Sequence, residues 1–268
     1  MVKAKGSGSS RWRGIDCGVL AVVAAVVGFV VGGYEPLQLK RAIGLGLVGA
    51  YELTPLGERF GTRESTYGEE WIFRDFFKDQ RDGFFVDIGA GDYRHGNNTY
   101  FLEVERGWRG IAVDAQERYA ADYKSHRPAT RFSALFVSDV SDTEIRLHVP
   151  DSFPYAASAD RDFAAAHRRG GEVTDIRVAT ITLNDLLQRE RTERIDLLIM
   201  DIELAEPRAL AGFDIDRYRP RLICIESQPQ VRQKILDYFY DHGYVVVGKY
   251  LRMDTQNLYF TPRSALEQ

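Results

Sequence analysis

The stretch that decides the fold covers residues 84–114 and reads FFVDIGAGDYRHGNNTYFLEVERGWRGIAVD. Apart from Asp87, its first residues are apolar and lead into Gly89 and Gly91, and a second apolar run stops at Asp114. Glycines at such a turn let the backbone approach a ligand, and the following helix offers free N–H groups at its start. An acidic residue at the end of the second strand can bind the ribose hydroxyls. The stretch therefore predicts a βαβ unit that binds an adenosine cofactor.

The spacing of the glycines indicates which cofactor this is. A dinucleotide site has a third glycine three positions after the second, which closes G-x-G-x-x-G over a pyrophosphate, and Arg94 occupies that position here. The chain instead has D-I-G-A-G-D, a pattern typical of Rossmann-like methyltransferases, whose cofactor S-adenosylmethionine has an ammonium group that a carboxylate at Asp87 can bind. A different nucleotide-dependent Rossmann enzyme is the less favoured alternative.

Further motifs follow in a fixed order along the chain. They are NTYFLE at 98–103, GWRG at 107–110, TLNDLL at 182–187, IDLLIMDIE at 195–203 and YRPRLICIE at 218–226. Over about residues 66–261, this ordered set resembles the FkbM-type methyltransferase family. The resemblance implies a Rossmann-like, doubly wound α/β fold with a mostly parallel sheet and an antiparallel C-terminal strand, as in class I methyltransferases. It also implies S-adenosyl-L-methionine as the cofactor.

The resemblance implies a set of cofactor-binding residues near the carboxyl ends of the first three strands. They are Asp87, Gly89 and Gly91 for the methionine part, Asn98 and Thr99 for the loop around it, Asp114 for the ribose, and Ser133 or Leu135 for the adenine.

The transfer step requires a group that removes a proton when the acceptor is a hydroxyl. Asp201 and Glu203 follow the apolar run at 197–200. They lie where the fourth predicted strand is expected to open onto the cofactor, so either is a candidate general base. Glu226 and His95 are candidates to assist. Asp201 and Glu203 could instead bind Mg2+, but two carboxylates alone do not make a site, so no metal ligand is assigned. The expected acceptor is a hydroxyl on a glycan, a lipid or another small molecule such as a secondary metabolite.

Two departures from the family pattern concern the acceptor pocket. The usual Asp-Val-Glu-Gly becomes Asp-Ile-Glu-Leu, which places Leu204 where glycine allows close backbone approach, and the usual acid-proline pair becomes Asp114 and Ala115. These changes leave open an alternative function, a non-catalytic, membrane-bound interaction module that retains the methyltransferase fold.

Composition restricts the possible partners. The chain has 268 residues, of which 44% are hydrophobic and 28% charged, enough for one sizeable core. Its net charge of −4 argues against nucleic acid as a partner, because phosphate binding depends on clustered Lys and Arg. Its 2 cysteines are too few for a disulfide framework or a zinc site.

The amino-terminal part predicts a membrane anchor. Residues 17–33 are uncharged and apolar, follow several Lys and Arg residues, and would span about 26 Å at ~1.5 Å per residue, close to the ~30 Å hydrocarbon core. We therefore divide the chain into a basic disordered tail at 1–14, a single transmembrane helix at 15–34, a linker with a short apolar segment at 35–65, and a methyltransferase domain at 66–268. A cleaved signal peptide is the alternative.

The side of the membrane that the domain occupies stays open. Basic residues before the span outnumber Lys40 and Arg41 after it, which favours a cytoplasmic amino end and a domain across the membrane. The methyl donor, however, is made in the cytosol. A helical hairpin that includes the apolar residues 42–51 would place the domain on the cytosolic side.

Hydrophobic periodicity predicts alternating strands and helices from residue 66 onward. The predicted strands are 84–88, 110–114, 131–137, 195–201, 220–226, 244–250 and 256–261, and the predicted helices are 69–78, 97–107, 116–126, 182–190, 206–212 and 229–242. An excursion at 139–179 is expected to shape the acceptor pocket. Alternation of this kind requires a parallel sheet covered on both faces.

Overall fold

The computed structural model describes residues 64–265. The predicted basic tail and transmembrane helix, and nearly all of the predicted linker, lie outside the described residues. Across 64–265, none of the helices is both long enough and apolar enough to cross a lipid bilayer.

The described chain alternates strands and helices through most of its length. The strands are β1 Phe84–Ile88, β2 Arg109–Asp114, β3 Thr130–Ala134, β4 Phe136–Val137, β5 Glu144–Pro150, β6 Val173–Ile181, β7 Leu197–Met200, β8 Leu222–Glu226, β9 Tyr244–Val246 and β10 Asn257–Pro262. The helices are α1 Glu69–Phe77, α2 Tyr100–Arg106, α3 Ala120–His126, α4 Arg161–Ala166, α5 Leu183–Arg189, α6 Glu206–Ala211, α7 Ile215–Tyr218 and α8 Arg232–Asp241.

Within residues 64–265, a seven-stranded sheet has the order β3-β2-β1-β7-β8-β10-β9. Strands β3, β2, β1, β7 and β8 pair in parallel, and β10 pairs antiparallel with both β8 and β9. This confirms the predicted Rossmann-like, mostly parallel sheet with an antiparallel C-terminal strand. Because the parallel strands share one direction, the carboxyl ends of β1, β2, β7 and β8 lie along the same edge, where such sheets bind ligands.

Both faces of the main sheet are covered. Val86 and Ile88 of β1 pack with α5, α6 and α8 on one face, while Phe85 packs with α1 and α2 on the other. Side chains alternate along a strand, so Asp87 projects to the same face as Phe85. The aromatic residues of α1 belong to the core, with Phe73 and Phe77 buried. Burial on both faces explains why these strands read as nearly continuous apolar runs.

The third strand differs from the prediction, which had it running unbroken from 131 to 137. The strand breaks at Leu135, whose backbone N–H donates to the carbonyl oxygen of Asp114. Up to this residue, β3 pairs with β2. After it, the chain no longer follows β2, and β4 pairs with β6 in a second sheet of order β4-β6-β5. One strand thus connects two sheets, because the hydrogen-bonding partner of the chain changes at a single residue.

The excursion at 139–179 is more ordered than its irregular pattern indicates. It holds β5, α4 and most of β6, and β5 pairs with β6 from Glu144–Ala179 to Pro150–Val173. The predicted terminal strand at 244–250 is also shorter, since β9 ends at Val246 and a 3-10 turn covers Gly248–Arg252. The helix predicted at 229–242 begins only at Arg232.

Candidate active site

A cavity that opens to solvent lies at the carboxyl ends of β1, β2 and β7. The turn after β1, the end of β2 and the turn after β7 all contribute to its lining. The short segment at 135–137 and the residues Leu147, Tyr155 and Ala157 of the excursion complete the wall. We call Gly89, Gly91 and Asp114 the cofactor wall, after the cofactor that the sequence analysis predicts for them.

Backbone geometry accounts for the first glycine of the cofactor wall. Gly89 has a φ of 86°, and a Cβ at this position would lie 1.7 Å from the backbone oxygen of Asp201. No residue with a side chain fits such a gap, so the glycine allows the turns after β1 and β7 to approach closely. Gly91 also has a positive φ, 58°, and the ring of Tyr155 lies beside it.

Asp114 is held in place by backbone N–H groups. Its Oδ2 accepts a hydrogen bond from the N–H of Gly91 at 3.0 Å, and its Oδ1 accepts one from the N–H of Gln116 at 2.8 Å. Burial raises the pKa of this carboxyl above its usual range, and the two backbone hydrogen bonds oppose that rise. A carboxylate has about four acceptor sites, so Asp114 retains capacity toward the cavity.

Asp87 lies beneath the turn and is not part of the cavity wall. The residue is 2% exposed, and Thr99 Oγ1 donates a hydrogen bond to its Oδ2 at 3.0 Å. Burial raises the pKa of Asp87 to about 7, a rise that the Thr99 bond and the charge of Arg127 limit. The structure thus gives Asp87 a supporting position rather than direct access to the cavity.

Arg127, which sequence reasoning missed, holds the loop that follows the glycine turn. Its buried guanidinium donates to Glu103 Oε2 at 2.7 Å, to the carbonyl oxygen of Tyr93 at 2.9 Å, and to Asn97 Oδ1 and Thr99 Oγ1 at 3.2 Å each. Because Thr99 Oγ1 accepts from Arg127, its own proton is left for acceptors such as Asp87. No local pattern marks Arg127, since it follows α3 as an ordinary basic residue at a helix end.

The two asparagines of the loop have different surroundings. Asn97 Nδ2 donates to the carbonyl oxygens of Ala90 and Asp92 and to the hydroxyl of Tyr123, so it ties the glycine turn to α3. The sequence analysis selected Asn98 instead. Its Oδ1 is buried and has no hydrogen-bond donor among the described residues.

The remaining predicted residues separate into those at the cavity and those away from it. Leu135 lies in the wall, whereas the hydroxyl of Ser133 accepts a hydrogen bond from Arg189 Nη2 at 2.8 Å and is not in the wall. His95 is also outside the wall, with a side chain 77% exposed and its Nδ1 3.5 Å from Asp92 Oδ1. His95 lies on an exposed turn, whereas Ser133 is half-buried within β3.

Three carboxylates meet at the ends of β7 and β8. Asp201, Glu203 and Glu226 each have one oxygen within 4.8 Å of the others, and we call them the carboxylate cluster. Asp201 and Glu203 line the cavity, and Glu226 lies behind them with 6% of its surface exposed. Pairing of β7 with β8 brings Glu226 close to Asp201 and Glu203, which precede it by more than twenty positions in the sequence.

The turn that carries Glu203 is fixed at both ends. Ile202 N–H donates to Glu206 Oε1 at 3.1 Å, and the hydroxyl of Ser158, from the excursion, donates to the carbonyl oxygen of Glu203 at 2.7 Å. Glu203 and Leu204 have positive φ angles of 50° and 79°. Leu204 therefore adopts the left-handed conformation that glycine takes most easily, which explains why a glycine is usual at this position.

Burial and neighbouring carboxyls raise the pKa values of the buried glutamates in and beside the cluster. Burial, followed by the nearby carboxyls of Asp201 and Glu203, raises the pKa of Glu226 well above its usual range. Burial raises the pKa of Glu206 to about 7, and the charge of Asp201 adds to that rise. Several acidic groups are thus concentrated at one wall of the cavity, as is common where proton transfer or cation binding takes place.

Comparison with known proteins gives one family match and several similar solved structures. The family described as the Methyltransferase FkbM domain matches residues 87–246. No curated protein matches the chain. Among solved structures, the precorrin-6Y C5,15-methyltransferase of Geobacter metallireducens is 11% identical, with 76% of this chain and 92% of that chain covered and a TM-score of 0.39.

A second solved structure is the 1,6-didemethyltoxoflavin N1-methyltransferase of Burkholderia thailandensis, with bound 1,6-didemethyltoxoflavin and S-adenosylhomocysteine. It is 15% identical, with 85% of this chain and 89% of that chain covered and a TM-score of 0.37. The family match spans more than half of the chain and includes the glycine turn, Asp114 and the carboxylate cluster. The chain therefore belongs to the FkbM methyltransferase family.

Proposed function

We propose that this protein is an S-adenosylmethionine-dependent O-methyltransferase that acts on a hydroxyl of a glycan, a lipid or a secondary metabolite. The observation that carries the proposal is the meeting of two groups of residues at one cavity. The cofactor wall supplies a glycine turn and an oriented carboxylate, and the turn after β7 supplies Asp201 and Glu203. A family of methyltransferases supports the reaction class, and the acidic wall supports a hydroxyl acceptor.

The cofactor wall fits S-adenosylmethionine by its chemistry. A Cβ at Gly89 would collide with the turn after β7, and Gly89 and Gly91 both line the cavity. Asp114 is aligned by two backbone N–H groups and suits a pair of ribose hydroxyls. Leu135 and Val137 provide an apolar surface for a base. The bound cofactor supplies an electrophilic methyl group on a sulfonium, and its transfer leaves a neutral sulfide.

Asp201 and Glu203 would serve the acceptor. A hydroxyl that gains a methyl group loses its proton, and a carboxylate within hydrogen-bond reach can accept that proton as the new bond forms. The Ser158 hydrogen bond and the Ile202 bond to Glu206 keep the turn in one geometry, which holds the carboxylates in position without rearrangement. Glu226, behind them, would adjust their charge.

The alternative of a non-catalytic module rests on Leu204. The turn forms with leucine in the left-handed conformation, so the missing glycine does not prevent its closure. The cofactor wall also keeps both glycines and Asp114. These observations favour a working enzyme.

Asp114 provides the first test. Replacing it by Ala should weaken the binding of S-adenosylmethionine to the full-length chain by ~1–3 kcal/mol, the usual effect of losing hydrogen bonds to a charged group. Titration calorimetry in detergent measures this, with NAD as the comparison ligand and Ser133→Ala as a matched control outside the wall. Equal affinity in wild type and Asp114→Ala would remove Asp114 from the site, and preference for NAD would contradict the proposed cofactor.

We also propose that residues 15–34 anchor the protein in a membrane as a single span. The uncharged run at 17–33 behind basic residues supports this. Carbonate extraction of membranes should leave the full-length chain in the pellet, because an inserted helix resists removal by alkali. A mature amino end beyond residue 33 would instead indicate a cleaved signal peptide.

A further inference from the structure

Glu226 has the environment of an incomplete ion site. It is 6% exposed, its Oε1 accepts a hydrogen bond from Gln228 Nε2 at 2.8 Å, and no described N–H or O–H group donates to its Oε2. Within residues 64–265, no Lys, Arg or His forms an ion pair with it. Buried carboxylates are normally paired with a cation or bound to a metal, because an isolated buried charge is costly.

The neighbours of Glu226 make this arrangement more acidic. One oxygen each of Asp201, Glu203 and Glu226 lies within 4.8 Å of the others. Two oxygens bound to the same cation are at most ~4.2 Å apart for Mg2+ and at most ~5.2 Å apart for Ca2+, since the metal–oxygen distances are ~2.0–2.1 Å and ~2.3–2.6 Å. The 4.8 Å limit of the cluster therefore lies within the reach of a Ca2+-sized cation, and Mg2+ would require the side chains to move closer together.

We propose that the carboxylate cluster binds a divalent cation of the oxygen-preferring class, with Asp201, Glu203 and Glu226 as its protein ligands. Two ligands line the cavity and the third is buried behind them, so the remaining positions of the cation would face the cavity. Carboxylate oxygens suit Mg2+, Ca2+ and Mn2+ better than softer metals. The inference rests on the proposed function for its use, because a cation at this wall would bind the acceptor hydroxyl and favour loss of its proton to the second oxygen of Asp201 or Glu203, the one that the cation does not hold.

Direct binding of Mn2+ tests the proposal without any acceptor. Electron paramagnetic resonance on the full-length chain in detergent measures free Mn2+, and one tight site per chain is expected, from which Mg2+ or Ca2+ displaces the probe. Asp201→Asn and Glu226→Gln should each weaken binding at least ~10-fold, since even changes outside the ligands cost ~10–100-fold. Asp201 is exposed, so its variant is the one expected to keep the native fold.

Glu69→Gln is the matched control for Glu226→Gln, because Glu69 is also a buried glutamate, at 2% exposure, and its carboxyl accepts hydrogen bonds from the Tyr67 N–H and from Asn257 Nδ2. It should bind Mn2+ as wild type does. Absence of a tight Mn2+ site in wild type, or an unchanged site in Asp201→Asn, would overturn the proposal and indicate a Glu226 that is simply protonated. S-adenosylmethionine calorimetry on the same samples separates this failure from a failure of the proposed function.

Discussion

The two walls of the cavity differ in how their carboxylates are bound. On the cofactor wall, both oxygens of Asp114 accept backbone N–H groups, and the buried Asp87 below it accepts from Thr99. In the carboxylate cluster, Glu226 has one oxygen without a donor and is surrounded by other acids. Asp114 is therefore oriented by the backbone and keeps part of its acceptor capacity for a ligand, whereas Glu226 has one oxygen left entirely for a proton or a cation. This difference fits the proposal that the cofactor wall binds the cofactor and that the carboxylate cluster serves the acceptor.

The largest expected effect concerns turnover. Asp201→Asn and Glu203→Gln should lower methyl transfer to an identified acceptor by ~10²–10⁴-fold, because each removes a carboxylate that serves the hydroxyl. Their affinity for S-adenosylmethionine should stay within a few fold of wild type. Transfer of a labelled methyl group and calorimetry measure the two quantities.

Glu117→Gln is the control for these variants, because Glu117 is an exposed acid after β2 that is not in the cavity wall. It should retain full turnover. Normal turnover in both cluster variants would move the base elsewhere, and a shared loss of cofactor affinity would show that the two walls are not separate in function.

The next effect concerns the support of the cofactor wall. Arg127→Met should lower the free energy of unfolding by ~3–5 kcal/mol, because it leaves the buried Glu103 carboxylate without its cation. Cofactor affinity should fall as well, since Asn97 and Thr99 lose a donor. Urea denaturation measures the first effect. The double variant Arg127→Met with Glu103→Leu should recover much of the stability but not the affinity, and recovery of both would show that Arg127 does not position the loop.

The smallest effect concerns the turn of the cluster. Leu204→Gly should raise the free energy of unfolding by ~1 kcal/mol or less. Glycine relieves a left-handed backbone that costs ~1–2 kcal/mol, but it also gives the unfolded chain more conformational freedom, which offsets part of the gain. Leu204→Ala keeps the Cβ and the strain, so it is the matched comparison. Thermal unfolding of the two variants measures the difference, and a glycine variant less stable than the alanine variant would mean that the added freedom of the unfolded chain outweighs the strain.

Local sequence determined much of this molecule. The apolar runs around Asp87 and Asp114 and the glycines between them predict strand, turn and strand, because strand periodicity and positive φ are properties of neighbouring residues. The order of motifs then indicated the family and the mostly parallel sheet. Gly89 and Asp114 were selected on this basis and lie in the cavity wall, although their contacts with a cofactor remain a prediction.

Tertiary structure decided which of these residues share a site. The side chain of Asp87 projects to the sheet face that α2 covers and accepts a hydrogen bond from Thr99, and Ser133 accepts one from Arg189. The third strand changes its pairing partner at Leu135. None of these contacts follows from the neighbouring residues in the sequence. Arg127 and the meeting of Glu226 with Asp201 depend on contacts between distant segments. The physical reason is that the pairing of β1, β7 and β8 sets these distances, and strand order is a property of the whole sheet.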